Sequence, residues 1–292
     1  MIELGSSVAS VDRGVDGIGR GHARWATVSV VIPARNEAAN IAWVLEHMPL
    51  SVDEVILVDG NSTDRTIEVA RAVRPDIVVI QEPAPGKGSA VRAGFAAARG
   101  TFIAMLDADG SMDPAEVDAL IEALAGGADL AKGSRYLNGG GSTDITVLRS
   151  FGNRMLLLAS NLLYRQSFTE LCYGYMAVRA SRIPGLELRA TGFEIEAELV
   201  SKAIRNGLSV VEVPSREASR ISGESSLHPF RDGWRILRTI ARESAPWRIR
   251  RPVPADEPGE HHGPEAWLEQ LEDRLLGEHN VLPGEPETAT AD

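Results

Sequence analysis

The stretch TFIAMLDADGSMDP, residues 101–114, decides the fold prediction, because an apolar run typical of a buried strand ends there in two carboxylates. These carboxylates, Asp107 and Asp109, are separated by a single residue. They repel each other, and each raises the pKa of the other unless a cation is present. Because no histidine or cysteine stands beside them, their oxygens favour Mg²⁺ or Mn²⁺. The alternative is an ordinary strand end in which Asp109 makes a turn.

Short β-branched runs alternate with helical stretches around this motif. Predicted strands cover 27–33, 54–59, 76–80 and 101–107, and predicted helices cover 37–47, 63–73, 87–99 and 114–125. This alternation predicts a doubly wound, mostly parallel α/β sheet, whose ligands bind at the carboxyl ends of the strands. Pro33, Asp59 and Asp107 all fall at such ends.

After residue 130 the order of elements changes. The chain then has a loop at 138–144, a helix at 147–164, a strand at 171–179, a helix at 193–206, a strand at 208–214, a polar loop at 214–229 and a last helix at 230–243. We predict one α/β domain over residues 26–247, a flexible segment over 1–25 and an acidic, largely disordered tail over 248–292.

The acidity of the chain is concentrated in this tail. The net charge is −11, and residues 253–292 hold eleven acids against one arginine, so the body of the protein is close to neutral. A near-neutral body does not repel anionic ligands in general. Within the tail we predict a short helix near 264–276, interpreted as an intramolecular docking helix because four apolar residues share one face: Trp267, Leu268, Leu271 and Leu275.

Composition limits the remaining possibilities. The single cysteine, Cys172, excludes an internal disulfide and a metal site built from several thiolates. The longest apolar run, 155–164, is far shorter than the ~20 residues that cross a bilayer, and residues 1–24 do not resemble a signal peptide. We expect a cytoplasmic protein, peripheral at the inner face of a membrane at most, without a nucleic-acid partner. Assembly into homo-oligomers stays open.

Three further motifs follow predicted strands or open helices. IPARNEAANI contributes Arg35 and Glu37, VDGNSTDRT contributes Asp59, and GKGSAVRAG contributes Lys87. Glycines around a lysine at a helix start suit phosphate binding by backbone N–H groups and an ammonium group. The phosphate loop of nucleoside triphosphatases is excluded, because G-x-x-x-x-G-K-[ST] is absent. The alternatives are ordinary strand-to-helix turns and helix caps.

Together these motifs resemble the nucleotide-sugar-dependent glycosyltransferases of family 2, which have the GT-A fold, and most closely the polyprenyl-phosphate (dolichol-phosphate) mannose synthases. The resemblance covers roughly residues 27–228. It includes VVIPARNE, VDGNSTDRT, GKGSAVRAG, the DAD motif, TELCYGYMAV, FEIEAEL and VPSREASRISGESSL. Three departures stand out: Gly60 replaces a second acid, Ser111 a frequent glutamine, and Ser226 the lysine of S-K-L.

The resemblance implies roles for individual residues. The nucleotide-sugar would be bound by Pro33, Ala34, Arg35, Glu37, Asp59, Lys87, Asp107, Ala108 and Asp109. The metal would be held by Asp107 and Asp109, with His228 as a third candidate whose alternative is a solvated loop histidine. Phosphate of the leaving group or acceptor would meet Arg220, Ser225, Ser226 and His228.

The implied reaction is an inverting hexosyl transfer from a UDP- or GDP-sugar, with polyprenyl phosphate as the favoured acceptor. Asp107, Asp109 and Arg220 would stabilise the departing diphosphate. A phosphate acceptor needs no general base, whereas a hydroxyl acceptor on a soluble metabolite or glycan does. Glu170 and Glu194 are then the candidates, Glu196 is less favoured, and the alternative is that all are structural. More remote alternatives are a sugar-phosphate nucleotidyltransferase and a non-catalytic nucleotide-sugar-binding protein.

The last predicted helix has a basic face. Arg231, Arg235, Arg238 and Arg242 lie within about 60° of one another at ~100° per residue. Ile236, Leu237 and Ile240 lie roughly opposite. This face is either a solvated surface above a core-packed stripe or a surface that approaches anionic lipid head groups or a polyprenyl phosphate.

Overall fold

The structure, a computed structural model, describes residues 26–143, 145–223 and 227–244, without the side chains of 147–149. The predicted flexible segment 1–25 and the predicted acidic tail with its helix near 264–276 lie outside the described residues. The proposed limits of the α/β domain, 26–247, therefore stay a prediction.

A seven-stranded sheet forms the centre of the described part. The described residues form nine strands, seven of which belong to this sheet: β1 Val28–Ala34, β2 Glu54–Asp59, β3 Val78–Gln81, β4 Phe102–Met105, β5 Leu130–Ser134, β6 Gly141–Ser142, β7 Met176–Arg179, β8 Val210–Pro214 and β9 Arg216–Glu217. Their order is β3-β2-β1-β4-β7-β5-β8, and β6 and β9 form a separate two-stranded ribbon. All neighbours in the large sheet are parallel except β7, which is antiparallel to both β4 and β5.

Helices cover both faces of the sheet. They are α1 Ile41–Glu46, α2 Thr66–Val73, α3 Lys87–Ala97, α4 Val117–Ala125, α5 Val147–Tyr164, α6 Ile183–Leu186, α7 Ile195–Arg205 and α8 Pro229–Ser244. Side chains alternate across each strand, so that Val30 and Ile32 of β1 join one buried cluster and Val31 joins the other. The first cluster packs against α1, α2 and α4, and the second against α3, α7 and α8.

The predicted doubly wound, mostly parallel α/β sheet is confirmed. The prediction missed β5, because Lys132 and Gly133 interrupt its apolar pattern. Lys132 is nevertheless fully buried, since its ammonium group is 3.0 Å from Glu212 on the neighbouring β8. The strand predicted at 171–179 starts only at Met176, and the preceding residues lead into it.

The last helix differs from its predicted pattern. Ile236 and Ile240 are buried as expected, whereas Leu237 is 37% exposed and was wrongly placed on the core-facing side. The structure buries Asp232, Thr239 and Glu243 beside the isoleucines instead. In the part of the chain that the structure describes, none of the helices combines the length and the hydropathy needed to cross a membrane.

One edge of the sheet collects the motifs. The carboxyl ends of β1, β2 and β4 meet there, because these strands are parallel neighbours. The amino end of the antiparallel β7 reaches the same edge, which brings Gly174 beside Asp107.

Candidate functional site

The aspartate pair follows β4, and each member has a cation as partner. Asp107 Oδ1 is 2.6 Å from Lys87 Nζ, and Asp109 Oδ2 is 2.7 Å from Arg220 Nη2. Asp109 Oδ1 also accepts a hydrogen bond of 3.0 Å from the backbone N–H of Ser111. Gly110 has φ 74°, which glycine adopts easily, so the chain turns tightly between these contacts. The mutual repulsion of the pair is thus offset by two basic residues from distant parts of the sequence.

Lys87 occupies the first turn of α3 and is buried between two carboxylates. Its Nζ is 2.8 Å from Glu196 Oε1 in addition to its pair with Asp107. Burial opposes the charged form of Lys87, but the two carboxylates outweigh burial and raise its pKa above the usual range. Burial raises the pKa of Glu196, and Lys87 opposes this rise. A Cβ on Gly174 would lie 2.5 Å from Lys87 Nζ, so a larger residue there would force this group to shift.

The loop after β9 lies over the aspartate turn. Ala218 donates its N–H to the carbonyl of Ser111 at 2.8 Å, and Ile221 donates to the carbonyl of Asp109 at 3.1 Å. A Cβ on Gly110 would lie 2.4 Å from Ile221 Cδ1. The loop therefore brings Arg220 to Asp109 by a set of backbone contacts.

The end of β1 supplies the acid next to this turn. Glu37 donates its N–H to Thr66 Oγ1 at 2.9 Å. Burial raises the pKa of the Glu37 carboxyl, a hydrogen bond from Asn40 opposes the rise, and the charges of Asp109 and Asp107 add to it. Glu37 is thus close enough for the charges of both aspartates to affect its pKa.

The other residues of this motif hold two loops together. Asn36 has φ 58°, donates its N–H to Ser62 Oγ at 2.9 Å and accepts the N–H of Thr63 on its Oδ1 at 2.8 Å. Before it, Ala34 is buried, Pro33 is half-buried and Arg35 is exposed. The β1 and β2 motifs therefore form one wall at the edge of the sheet.

Asp59 at the tip of β2 offers an acceptor without a partner. The residue is 1% exposed, and its Oδ2 accepts the N–H of Ser62 at 3.1 Å. Its Oδ1 is buried and has no hydrogen-bond partner among the described residues. A buried acceptor of this kind usually has a partner, so a ligand donor is expected there.

Residues 29–182 match the family described as glycosyl transferase family 2. The chain belongs to this family. The enzyme is 33% identical over 240 residues to the polyprenol monophosphomannose synthase of Mycolicibacterium smegmatis, which covers 76% of this chain and 86% of that one. It is 32% identical over 209 residues to the dolichol-phosphate mannosyltransferase of Pyrococcus furiosus, covering 68% of this chain and 59% of the relative, so it spans under two thirds of that protein.

A solved structure supports the same fold. Glucosyl-3-phosphoglycerate synthase from Mycobacterium tuberculosis, in complex with Mn²⁺, UDP-glucose and phosphoglyceric acid, matches with a TM-score of 0.61 and 26% identity. The match covers 75% of this chain and 80% of that one. The α/β fold of this glycosyltransferase is therefore GT-A, as the motifs predicted.

Two of the predicted bases are held in ion pairs. Glu170 is fully buried and accepts hydrogen bonds from Arg135 Nε at 2.8 Å and Asn153 Nδ2 at 2.6 Å. Neither of these partners belongs to the aspartate turn. Glu194 pairs with Arg235 at 2.8 Å and accepts the N–H of Gly192 at 3.2 Å. Such contacts are expected if Glu170 and Glu194 have a structural role. They do not support either residue as a general base.

Of the three predicted bases, Glu196 is the one that the structure links to the aspartate pair. It was the less favoured candidate, yet it shares Lys87 with Asp107. Sequence reasoning also gave no role to Gly174, although it stands in the CYGYM stretch of a recognised motif. A glycine between two tyrosines was the available signal.

The structure does not test the remaining phosphate and metal candidates. His228 is exposed at the start of α8, and its backbone N–H donates to Asp232 Oδ2 at 2.8 Å. Ser225 and Ser226 lie outside the described residues. Within residues 26–143, 145–223 and 227–244, no three His, Cys, Asp or Glu side chains gather closely enough to hold a metal by themselves. His228 as a metal ligand stays a prediction.

Two carboxylates nevertheless fit a magnesium or manganese site whose remaining ligands come from substrate and water. Mg²⁺ is commonly bound by one or two carboxylates, and substrate phosphates and waters complete its coordination. The side chain of Asp107 is 28% exposed and that of Asp109 10%, so Asp107 is partly accessible and Asp109 is largely buried. Their present partners are the cationic side chains of Lys87 and Arg220.

Proposed function

We propose that this glycosyltransferase is an inverting, metal-dependent hexosyltransferase that uses a UDP- or GDP-sugar and favours polyprenyl phosphate as acceptor. The observation that carries the proposal is the aspartate pair at the end of β4, with Arg220 on one carboxylate and Lys87 on the other. This arrangement gathers fixed charge of both signs where a nucleoside diphosphate would leave.

The donor would lie along the edge of the sheet. The free Oδ1 of Asp59 suits an N–H of the nucleobase, because such a donor would satisfy a buried acceptor. Asp107 and Asp109 would hold Mg²⁺ or Mn²⁺, which stabilises negative charge on the leaving diphosphate when bound. The guanidinium group of Arg220 would also interact with the diphosphate oxygens, and the loop that carries Arg220 would keep water out of the site.

The acceptor decides whether a base is needed. An acceptor phosphate is already anionic and attacks the anomeric carbon without proton transfer, which is consistent with the ion-paired state of Glu170 and Glu194. The names of the mannosyltransferase relatives favour this acceptor. The second candidate is a hydroxyl acceptor on a soluble metabolite, which the complex of the solved neighbour with phosphoglyceric acid favours. Of the three candidate bases, Glu196 is then the one that shares a partner, Lys87, with Asp107.

A lipid acceptor also calls for contact with a membrane. Arg231, Arg238 and Arg242 are exposed on α8, and Phe230 and Trp234 are exposed beside them. Basic and aromatic residues on one helix suit the surface of an anionic bilayer. We therefore propose peripheral binding through α8, while the oligomeric state stays open.

A thermal-shift screen tests the donor and metal assignment. UDP and GDP are added separately with Mg²⁺ or Mn²⁺, and a diphosphate at a hundred times its Kd should raise Tm by roughly 5–10 °C. Asp109→Asn should abolish this shift, whereas Asp76→Asn, an exposed change far along the chain, should keep it. A shift of wild-type size in Asp109→Asn, or none with either nucleotide, would contradict the proposal.

A transfer assay then separates the acceptors. Radiolabelled donor sugar is supplied with a short-chain polyprenyl phosphate or with phosphoglyceric acid, and the product is extracted into organic solvent or retained in water. Label in the organic phase supports the favoured acceptor. Label only in the water-soluble product would transfer the assignment to the second candidate.

A further inference from the structure

The outer surface of α8 has an apolar stripe that the protein's described part leaves uncovered. Phe230, Trp234 and Leu237 are 83%, 67% and 37% exposed. Their spacing of four and three residues places them on one side of the helix. The opposite side is buried through Asp232, Thr239 and Glu243, and the flanking Ile236 and Ile240 are buried as well, so the orientation of the helix on the protein is fixed.

Exposed arginines run along one border of this stripe. At ~100° per residue, Arg231, Arg238 and Arg242 lie about 80–120° from Phe230 around the helix axis. The side chains of Arg231 and Arg242 are 65% and 55% exposed, although each has a neighbouring carboxylate. The acids on α8, Asp232 and Glu243, are buried. The accessible charge of the helix is therefore positive.

The adjacent helix extends the apolar character of this surface. α5 packs beside α8, and Tyr164 Oη donates a hydrogen bond of 2.9 Å to the carbonyl of Ile240. α5 has its own exposed stripe at helical spacing: Phe151, Met155, Leu158 and Leu162. A monomeric protein rarely exposes so many large apolar side chains on neighbouring helices without an occupant.

The sequence 264–276, PEAWLEQLEDRLL, has the complementary pattern. As a helix it would place Trp267, Leu271 and Leu275 on one side. The segment holds four acids against one arginine, and the acids fall on the border and back of that apolar side. Its apolar stripe would meet the stripe of α8, while its acids would meet the arginines.

The connection is long enough for this contact. Residues 245–263 are nineteen residues between the end of α8 and the segment. For an ideal coil of nineteen residues the root-mean-square span is about 24 Å, and α8 with sixteen residues is also about 24 Å long. A linker matched to its target in this way gives an effective concentration on the order of a millimolar.

We propose that residues 264–276 dock as an amphipathic helix on the apolar stripe of α8 and shield it until a competing surface displaces them. The occupant is thus a segment of the same chain, favoured by apolar and charge complementarity and by the length of the linker. The inference concerns the outer side of α8 and does not depend on the proposed transfer reaction.

Hydrogen–deuterium exchange of the full chain tests the contact. Leu268→Asp with Leu271→Asp places two charges on the apolar side of the segment. If the segment is docked about 90% of the time, this variant should exchange roughly tenfold faster over 229–244, because the bound fraction sets the protection. The matched control, Ala289→Asp with Ala291→Asp, adds the same charge outside the segment and should leave exchange unchanged.

Two further measurements identify the occupant. Protection that persists across a fiftyfold dilution supports an intrachain contact, whereas protection lost on dilution assigns the stripe to a second copy and overturns the proposal. Sedimentation with phosphatidylcholine vesicles containing phosphatidylglycerol should show tighter binding of Leu268→Asp, Leu271→Asp than of the wild type. Equal exchange and equal vesicle binding in the two proteins would overturn the proposal as well.

Discussion

At the aspartate turn, basic side chains offset the repulsion between two carboxylates. Lys87 lies between Asp107 and Glu196, and Arg220 lies on Asp109. Removing one partner of a buried ion pair leaves an uncompensated charge, which costs far more than the pair contributes. Lys87 is therefore expected to be the residue on which the stability of the site depends most.

Lys87→Met should lower the free energy of unfolding by about 3 kcal/mol, because two carboxylates would lose their buried cation. Urea unfolding measures the change. The double variant Lys87→Met, Glu196→Gln removes one of the stranded carboxylates and should cost less than the sum of the two single variants. Additive losses would show that Lys87 and Glu196 do not interact as the structure has them.

Glu37 predicts a dependence of stability on pH. Because burial raises its pKa, the folded state binds the proton more tightly than the unfolded state. The stabilisation is present below the ordinary value of 4.5 and is lost as pH rises through the raised pKa. Glu37→Gln cannot ionise, so its Tm should exceed that of wild type at pH 7.5, and the difference should shrink towards pH 4.5.

The measurement is a series of melting curves in metal-free buffer over that range. Glu122→Gln removes an exposed carboxylate and reports the effect of net charge alone. A difference for Glu37→Gln that grows as the pH falls would contradict the direction of the pKa shift.

At the scale of elements, the start of α3 is pressed against the chain before α7. A Cβ on Gly88 would lie 2.5 Å from the carbonyl oxygen of Ala190, and backbone atoms cannot move aside as a flexible side chain does. This contact holds Lys87 at the correct depth to reach Glu196 on α7.

Gly88→Ala should therefore destabilise the protein by about 2 kcal/mol through overpacking. Gly152→Ala is the matched control within α5, because nothing lies within 4 Å of its Cβ position. There the change should stabilise by up to about 1 kcal/mol through helix propensity. Thermal unfolding of both variants checks the opposite signs, and a neutral Gly88→Ala would be inconsistent with the close approach.

How far sequence reasoning reached depended on the range of the interaction. The strands up to β4 and the positions of Asp59, Asp107 and Asp109 at strand ends followed from local periodicity. β5 was missed because its buried Lys132 is stabilised by Glu212, eighty residues away, and no local pattern records such a partner. The ion pair between Lys87 and Glu196 was equally unpredictable from local sequence, because it forms only when α3 and α7 pack together.

At the scale of the whole molecule, charge is divided between a near-neutral body and an acidic tail. Vesicle binding through α8 is best measured with the tail segment disabled, in the Leu268→Asp, Leu271→Asp background. Arg231→Glu with Arg238→Glu should then weaken binding to anionic vesicles by at least thirtyfold, since each basic residue near such a surface contributes about 1 kcal/mol.

Arg71→Glu with Arg99→Glu makes the same change in net charge with exposed arginines outside α8 and should have a much smaller effect. Sedimentation at two salt concentrations completes the test, because screening weakens an electrostatic contact. Equal losses of vesicle binding in the two double variants would show that net charge sets the affinity, and would contradict binding through α8.

The hydrogen bond from Ile221 to the Asp109 carbonyl limits how far from the aspartate turn α8 can begin. Eight residue steps join Ile221 to Pro229, the first residue of α8, and an extended chain of that length covers at most about 29 Å. The start of α8 thus cannot lie farther than this from the anchored end of the loop. Any partner held at the first turn of α8 would therefore lie within that distance of the anchored end of the loop.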